Sequence, residues 1–403
     1  MPTVIGRTFF VGRGRIVCAR REIQAIVVRT GDHKKLKYIQ FHLNMSEKDF
    51  EAIKITDIKN EIIKPLTENS KKGENGCIAT IGGSLEYSGA PYYSAISALK
   101  SGSDLSHVFC HTEATIPIKS YSPELIVHPA FNTFSNETLL KKTERWFKSM
   151  NSILIGPGLG REEDTEKIFV KFSESISKFK NIPLVYDADG VWFWVKVNME
   201  NNYEKERIDM INSNTKLIMT PNFTEFNKMC KILGDKFKME NIEEQKKFID
   251  EFFTQEKNDI MKINDIQKNE KYHKIFLNDI NLCNEYKNNF ILVKKGKCDI
   301  ITDGIELYIV KNSGSLKRTG GIGDLLSGLI NCYCGMLNQR KKESNEYDKK
   351  CIISHGELIK CCLFACYICR EASRLAFEKM KYSLTAPDII AELPNVINKI
   401  YYL

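Results

Sequence analysis

The densest chemical signal in the chain is Ser313-Gly314-Ser315-Leu316-Lys317-Arg318-Thr319-Gly320-Gly321-Ile322-Gly323-Asp324-Leu325-Leu326-Ser327-Gly328. Three glycines within four residues let backbone amides approach a ligand with no Cβ in the way. An apolar run at helical spacing follows, so the glycines open a helix whose free N–H groups and dipole favour an anion. Asp324 stands at that junction, where a carboxylate would repel a bound phosphate unless it takes a proton from an attacking hydroxyl. An anion hole beside a base is the equipment of phosphoryl transfer. The alternative reading is a tight loop with an N-capping Asp.

Other loops repeat the theme. Cys77 to Ile81 reads as a buried strand ending in Gly82-Gly83-Ser84, followed by a slim helix from Tyr92 to Ser101. Asn151 to Ile155 is a second such strand, and Gly156-Pro157-Gly158-Leu159-Gly160-Arg161 follows it. Pro183 to Tyr186 runs into Asp187-Ala188-Asp189-Gly190, acids placed where α/β proteins hold a metal, a ribose or a phosphate-bound magnesium; a capped turn is the alternative. Leu217 to Pro221 leads into Asn222-Phe223-Thr224-Glu225-Phe226. Asn222 and Glu225 suit an ordinary helix cap, and equally suit holding the waters of a magnesium ion.

The elements that must position these groups are short apolar strands alternating with helices. That pattern predicts an α/β fold: a three-layer α/β/α, doubly wound, mostly parallel sheet with ligands at the strands' carboxyl ends. Leu105 to Cys110 and Phe290 to Val293 add strands, and Ile300 to Val310 reads as a hairpin turning at Asp303-Gly304. His355 to Met380 is a long helix, and Thr385-Ala386-Pro387-Asp388 starts a last one. Phe50 to Ile63 has amphipathic helical spacing through Ile53, Ile55, Ile58, Ile62 and Ile63. Residues 232–287 are crowded with Lys, Glu, Asn and Asp and hold little that builds a strand, so they read as a partly helical surface insertion without catalytic residues. Residues 1–50 form a basic leader or tail, and residues 51–403 one domain carrying that insertion.

A chain of 403 residues, 42% hydrophobic, can bury a sizeable core. No apolar run is long enough to span a bilayer, which leaves membrane partners unexpected. The net charge of +8 suits an anionic small molecule as well as nucleic acid. The glycine loops favour the former, and no nucleic acid is expected. Of 13 cysteines, seven lie between Cys332 and Cys369 without the second pair a zinc site needs, so they read as small buried hydrophobes in a reducing compartment. Helical faces rich in Cys, Ala and Ile could pack internally or against a second copy. The start holds Arg7, Arg13, Arg15, Arg20 and Arg21 before the first acid, Glu22. Such a start resembles a mitochondrial leader, with a plain basic tail on a cytoplasmic protein as the alternative.

Taken together, these residues resemble a known family. Gly320 to Asp324 is similar to the anion-hole and base motif of the ribokinase-like superfamily, and Asn222 to Glu225 to its Asn-x-x-Glu magnesium motif. More narrowly, the chain resembles the ATP-dependent NAD(P)H-hydrate dehydratases. That likeness rests on Gly82 to Pro91, Ser122-Pro123-Glu124-Leu125-Ile126-Val127-His128-Pro129, Gly156 to Arg161, Asp187 to Gly190, Thr220 to Phe226, Lys295-Gly296 with Asp299, and Gly320 to Gly328. It covers roughly residues 58–403 in the family's order, apart from the insertion.

The resemblance implies ATP-dependent dehydration of the S form of hydrated NADH or NADPH, with Mg2+ beside ATP. It implies that Asp324 is the base and that the amides around Gly321 and Gly323 hold the transferring phosphoryl group. Gly160, Asn222, Phe223, Thr224, Glu225, Phe226, Asn227, Lys228 and Asp324 would contact the hydrated cofactor. Lys295, Gly296, Lys297, Cys298, Asp299, Ser315, Leu316, Lys317, Arg318, Thr319, Gly320, Gly321, Ile322 and Gly323 would contact ATP, and Asn222 with Glu225 would organise magnesium through water. The family often has Arg where Lys228 stands, which leaves charge there without a bidentate grip. Two competing readings are a small-alcohol kinase of the same superfamily, stopping at a stable phosphate ester, and a non-catalytic nucleotide-binding protein.

Overall fold

The computed structural model of the chain describes residues 14–18, 21–26, 40–42, 49–132, 145–179, 181–199, 216–236, 238–255, 258–285, 290–343 and 353–402. The chain divides into two units, Met1–Glu51 and Ala52–Leu403. In the first, strands β1 (Gly14–Cys18), β2 (Arg21–Ile26) and β3 (Gln40–His42) pair antiparallel, with Gly14 opposite Ala25 and Gln24 opposite His42. Arg15 and Arg21 therefore sit in strands, and Arg7 and Arg13 lie outside the described residues. No described helix is long and apolar enough to cross a membrane.

Strand β4 (Phe50–Ala52) leads into helix α1 (Ile55–Ile62), which buries Ile58 and Ile62. The helix thus begins later than its isoleucine spacing predicts. The Ile53 N–H donates instead to the Ile260 carbonyl at 3.0 Å, a sheet bond that competes with a helical one.

The second unit alternates as the apolar runs predict: β5 (Cys77–Ile81), α2 (Gly89–Lys100), β6 (Leu105–His111), α3 (Thr112–Tyr121), β7 (Ile126–Phe131), β8 (Ser152–Ile155), α4 (Glu163–Ser177), β9 (Leu184–Tyr186), α5 (Asp189–Met199), β10 (Leu217–Met219) and α6 (Phe223–Cys230). After these come α7 (Met239–Gln255), β11 (Ile260–Ile263), α8 (Glu270–Ile275) and α9 (Leu277–Glu285). The chain closes with β12 (Phe290–Lys294), β13 (Asp299–Thr302), β14 (Leu307–Val310), α10 (Ile322–Glu343), α11 (His355–Met380) and α12 (Ala386–Tyr401). The sheet runs β11-β14-β13-β12-β10-β9-β8-β5-β6-β7. Pairs from β12 through β10 to β7 are parallel, and β12–β13, β13–β14 and β14–β11 are antiparallel.

The central strands are buried on both faces, which is why they read as unbroken apolar runs. Alternate residues enter opposite layers. Ile78, Leu154, Val185, Ile218 and Ile291 join the core with α10 to α12, while Ala79, Ile153, Leu184, Met219 and Leu292 join the core with α4 to α6. Cys361, Cys362 and Cys366 are fully buried in the first of these cores, so the cysteine face of α11 packs within the chain. Helix α10 crosses α2 so closely that a Cβ on Gly328 would lie 2.1 Å from the Ser94 carbonyl. That crossing holds the start of α10 at the sheet's carboxyl edge.

The insertion departs from expectation. Ile260–Ile263 is a strand, antiparallel to β14, with Ile260, Met261 and Ile263 buried. Its charged surroundings hide a four-residue run that only pairing with β14 and cover from helices make stable. Lys294 of β12 ties the same region down, pairing with Asp279 of α9 and donating to Gln245 of α7 at 2.6 Å.

Candidate active site

The site is built where four strand ends and the start of α10 meet. At the end of β8, Gly156 has φ 129°, and a Cβ there would lie 1.8 Å from the Asp187 carbonyl. Only glycine lets the β8 and β9 loops approach this closely. Ala188 lies next, at φ 47°, a conformation uncommon for a residue with a side chain. This strained turn separates two acids with different partners. Asp187 is 1% exposed and accepts from the Thr220 hydroxyl at 2.7 Å and from Lys295 Nζ at 2.6 Å, both on Oδ1. Asp189 accepts from Arg161 Nε at 2.7 Å and from the Gly160 N–H at 3.1 Å.

Lys295 follows β12, its N–H donating to the Pro221 carbonyl at 2.9 Å. Its ammonium stands beside the glycine turn, since a Cβ on Gly323 would lie 3.3 Å from Nζ. The first bond of α10 runs from the Leu325 N–H to the Gly321 carbonyl at 2.9 Å, so the amides before it are those of an open helix start. Gly321 makes the turn at φ 93° against Ala386 and Tyr93, where a side chain would be strained and crowded.

Asp324 lies in the first turn of α10. Burial, then the charges of Asp187 and Asp189, push its carboxyl up to about 7 against the opposing pull of Lys295. Glu225 is raised too, by burial first, with Lys295 opposing. Burial disfavours the Lys295 ammonium, yet Asp187, Glu225 and Asp324 together hold its pKa above the ordinary value. One cation thus serves three carboxylates.

Asp324 and Asp189 open onto a cleft of about 850 Å³ whose walls include Tyr87, His111, Phe131, Gly160 and Arg161. Aromatic walls with an acid and an arginine suit a flat, polar ring carrying anionic groups. A second cavity of about 300 Å³ is lined by Trp192, Lys196, Glu225 and Lys228.

The NAD(P)H-hydrate dehydratase family matches residues 78–262 and 263–395. A protein of Entamoeba histolytica named ATP-dependent (S)-NAD(P)H-hydrate dehydratase is 33% identical over 343 residues, 84% of this chain and 92% of that one. The rat protein of the same name is 30% identical over 365 residues, 90% of each. The chain belongs to the NAD(P)H-hydrate dehydratase family. The fold is also shared with a ribokinase-like superfamily protein of Enterococcus faecalis, with TM-score 0.59, 19% identity and coverage of 89% of this chain and 99% of that one. It is shared as well with the ADP/ATP-dependent NAD(P)H-hydrate dehydratase of Bacillus subtilis co-crystallised with ATP and Mg2+, at TM-score 0.55, 17% identity and coverage of 86% and 97%. The doubly wound α/β expectation holds.

Within this family member, the structure sorts the residues that sequence singles out. Gly160 and Asp324 line the larger cleft, while Lys295 stands beside Gly323 and interacts electrostatically with Glu225 and Asp324. Asn222 and Glu225 form a complete capping box, with the Glu225 N–H donating to Asn222 Oδ1 at 3.0 Å and the Asn222 N–H to Glu225 Oε2 at 2.8 Å. Phe226 is 1% exposed and packs in the core beneath Lys294, so its side chain is structural. Phe223 and Thr224 are exposed, Asn227 is partly buried, and Lys228 lines the smaller cavity. Cys298 is buried as well, and the Gly296 and Lys297 carbonyls accept from the Arg370 guanidinium at 3.0 and 2.9 Å. The Ser315 hydroxyl accepts from the Lys317 N–H at 3.0 Å and shapes its turn, while Leu316, 85% exposed, stands outside it. Lys317 Nζ donates to the Tyr382 and Leu384 carbonyls at 2.6 and 2.8 Å. Arg318, Thr319, Gly320 and Ile322 complete the turn into α10, and Gly320 has open space around it. Tyr87, from the Gly82 to Pro91 motif, also lines the cleft, as do His111 and Phe131, the last residues of β6 and β7, which sequence did not single out because a strand-end residue carries no signal of the ligand it faces.

Proposed function

We propose that the protein uses ATP to dehydrate the S form of hydrated NADH and NADPH, restoring the reduced nicotinamide and releasing ADP and phosphate. The ring's 6-hydroxyl is a poor leaving group as hydroxide. Asp324 takes its proton as the oxygen attacks the γ-phosphorus of ATP, and the bond from that phosphorus to the β-bridging oxygen breaks. The resulting phosphate ester leaves as phosphate, driven by the ring nitrogen's lone pair, and loss of a C5 proton completes the double bond. A carboxylate with a pKa near 7 is well matched to this work at neutral pH.

The amides at the start of α10 and the Lys295 ammonium beside Gly323 stabilise the charge on the transferring phosphoryl group, each donor contributing about 3–4 kcal/mol in comparable sites. The single observation that carries the reading is this raised Asp324, set against an open helix start and facing a cleft sized for a ring system. Gly160 and the segment from Asn222 to Lys228 hold the hydrated cofactor. Lys295 to Asp299 and Ser315 to Gly323 hold ATP.

Magnesium belongs to the same proposal. Among the described residues no group of three or more His, Cys, Asp or Glu could by itself hold a metal ion, and a magnesium ion beside ATP would take most of its ligands from phosphates and water. Asn222 Oδ1 and Glu225 Oε2 are committed to the helix cap, so the remaining oxygen of Glu225 would reach such an ion through water. Bound magnesium would neutralise phosphate charge and lower the carboxylates' mutual repulsion.

The test uses purified protein with hydrated NADH, ATP and Mg2+. Recovery of reduced-nicotinamide absorbance with stoichiometric ADP and phosphate supports dehydration, whereas accumulation of a stable phosphorylated product identifies a kinase. The expected compartment is the cytoplasm. Imaging the full chain against one lacking residues 1–30 tests delivery to mitochondria.

A further inference from the structure

Arg370 lies in the middle of α11, a helix whose sequence reads only as packing. Its guanidinium nevertheless ends at the turn after β12. Nε donates to Asp299 Oδ2 at 2.6 Å, Nη1 to the Lys297 carbonyl at 2.9 Å and Nη2 to the Gly296 carbonyl at 3.0 Å. Asp299 completes the arrangement by accepting from the Gly296 N–H at 3.3 Å. The Arg370 and Asp299 side chains are 12% and 7% exposed, so this is a built contact and not a surface pair. The stem of Arg370 also passes Gly314, where a Cβ would lie 3.9 Å from Arg370 Cγ. One residue earlier, the Cys369 thiol reaches the Ile322 carbonyl at 3.9 Å.

A single turn of α11 therefore touches the 296–299 turn and both ends of the glycine segment. These are the two segments that the function proposed above assigns to ATP. We propose that Arg370 is a positioning residue for the nucleotide: it holds the 296–299 turn in register with the glycine segment, so that ATP meets both at once. The inference rests on the reading of this site as an ATP site. Lysine cannot replace the fork, because one ammonium supplies neither the planar spacing nor three separately aimed donors.

The test is Arg370→Lys, with Asp299→Asn as its counterpart, on the full chain. ATP binding is measured by calorimetry without turnover, and KM for ATP and for hydrated NADH are measured separately. Arg370→Lys should weaken ATP binding and raise KM for ATP about tenfold, while KM for hydrated NADH stays within about twofold. Combining it with Asp299→Asn should add little, since both remove one contact. Unchanged ATP binding in Arg370→Lys overturns the proposal. So does weaker ATP binding with an equal rise in both KM values and a lower Tm, which marks a structural role. The lysine variant alone decides, whether or not Arg370→Ala folds. Wild-type protein that binds ATP but never restores NADH defeats the dehydratase reading and leaves this test intact.

Discussion

Lys294 and Lys295 are neighbours, both pair with a buried aspartate, and they do opposite jobs. Lys294 points into a closed network: Asp279 takes its ammonium on one oxygen and the Gln245 amide on the other, the latter at 2.8 Å, with the Phe226 ring 4.0 Å from Nζ. Lys295 emerges at the sheet edge, where Asp187 holds it and Glu225 and Asp324 add charge that it does not neutralise. Their side chains are 6% and 18% exposed. The difference teaches that a buried ion pair becomes a site when its cation is outnumbered and one side is open to a ligand. A closed pair only ties elements together.

The sharpest way to break the comparison is at the surplus carboxylate. Asp324→Asn should lower kcat by about 10²–10⁴-fold with ATP binding intact; a loss smaller than about tenfold in single-turnover assays would remove the base from Asp324. The next effect falls on the closed pair. Lys294→Met strands Asp279 and should cost about 3–5 kcal/mol of stability in denaturant titrations, with turnover per folded molecule unchanged. Lys295→Met should do the reverse, cutting kcat/KM for ATP about 10²-fold while costing less stability, because water can enter the cleft in place of the ammonium.

Smaller effects follow from pH. The Asp324 carboxyl is raised from its ordinary 3.8 to about 7, so kcat/KM should rise with pH and level off above about 7. Across that same window the folded protein binds more protons than the unfolded chain. Stability contributed by this group is therefore present at low pH and lost as pH climbs toward 7. Asp324→Asn should flatten both curves, and a profile unchanged by the substitution assigns the titration elsewhere. The smallest expected change is in the triple variant Lys294→Met, Asp279→Leu and Gln245→Leu, which should lie closer to wild type than Lys294→Met alone because it leaves neither a buried charge nor the Gln245 amide unpaired.

Much of this was legible in sequence because local chemistry repeats tertiary chemistry. Cys77–Ile81 and His355–Met380 have the bounds their apolar runs predict. Gly320 to Asp324 reads as an anion site because Gly321 takes a backbone that favours glycine and a helix start supplies free amides. Ile260–Ile263 escaped notice because its strand character comes from β14 and not from its own composition. Asn222 and Glu225 illustrate an ambiguity of another kind, since helix capping and magnesium organisation call for the same two residue types at the same spacing.

By itself, the sequence determined the alternation of buried strands and helices, the glycine turn with its aspartate, and the order of loops at one sheet edge. Those properties depend on backbone freedom and on side-chain periodicity over a few residues. Tertiary structure decided which lysine stands beside Gly323, how far Asp324 is from ordinary ionisation, and that Arg370 reaches the 296–299 turn. Each of these depends on groups far apart in the chain, Asp187 and Asp324 against Lys295, or Arg370 against Asp299. Charge and burial act through space, and no local pattern records them.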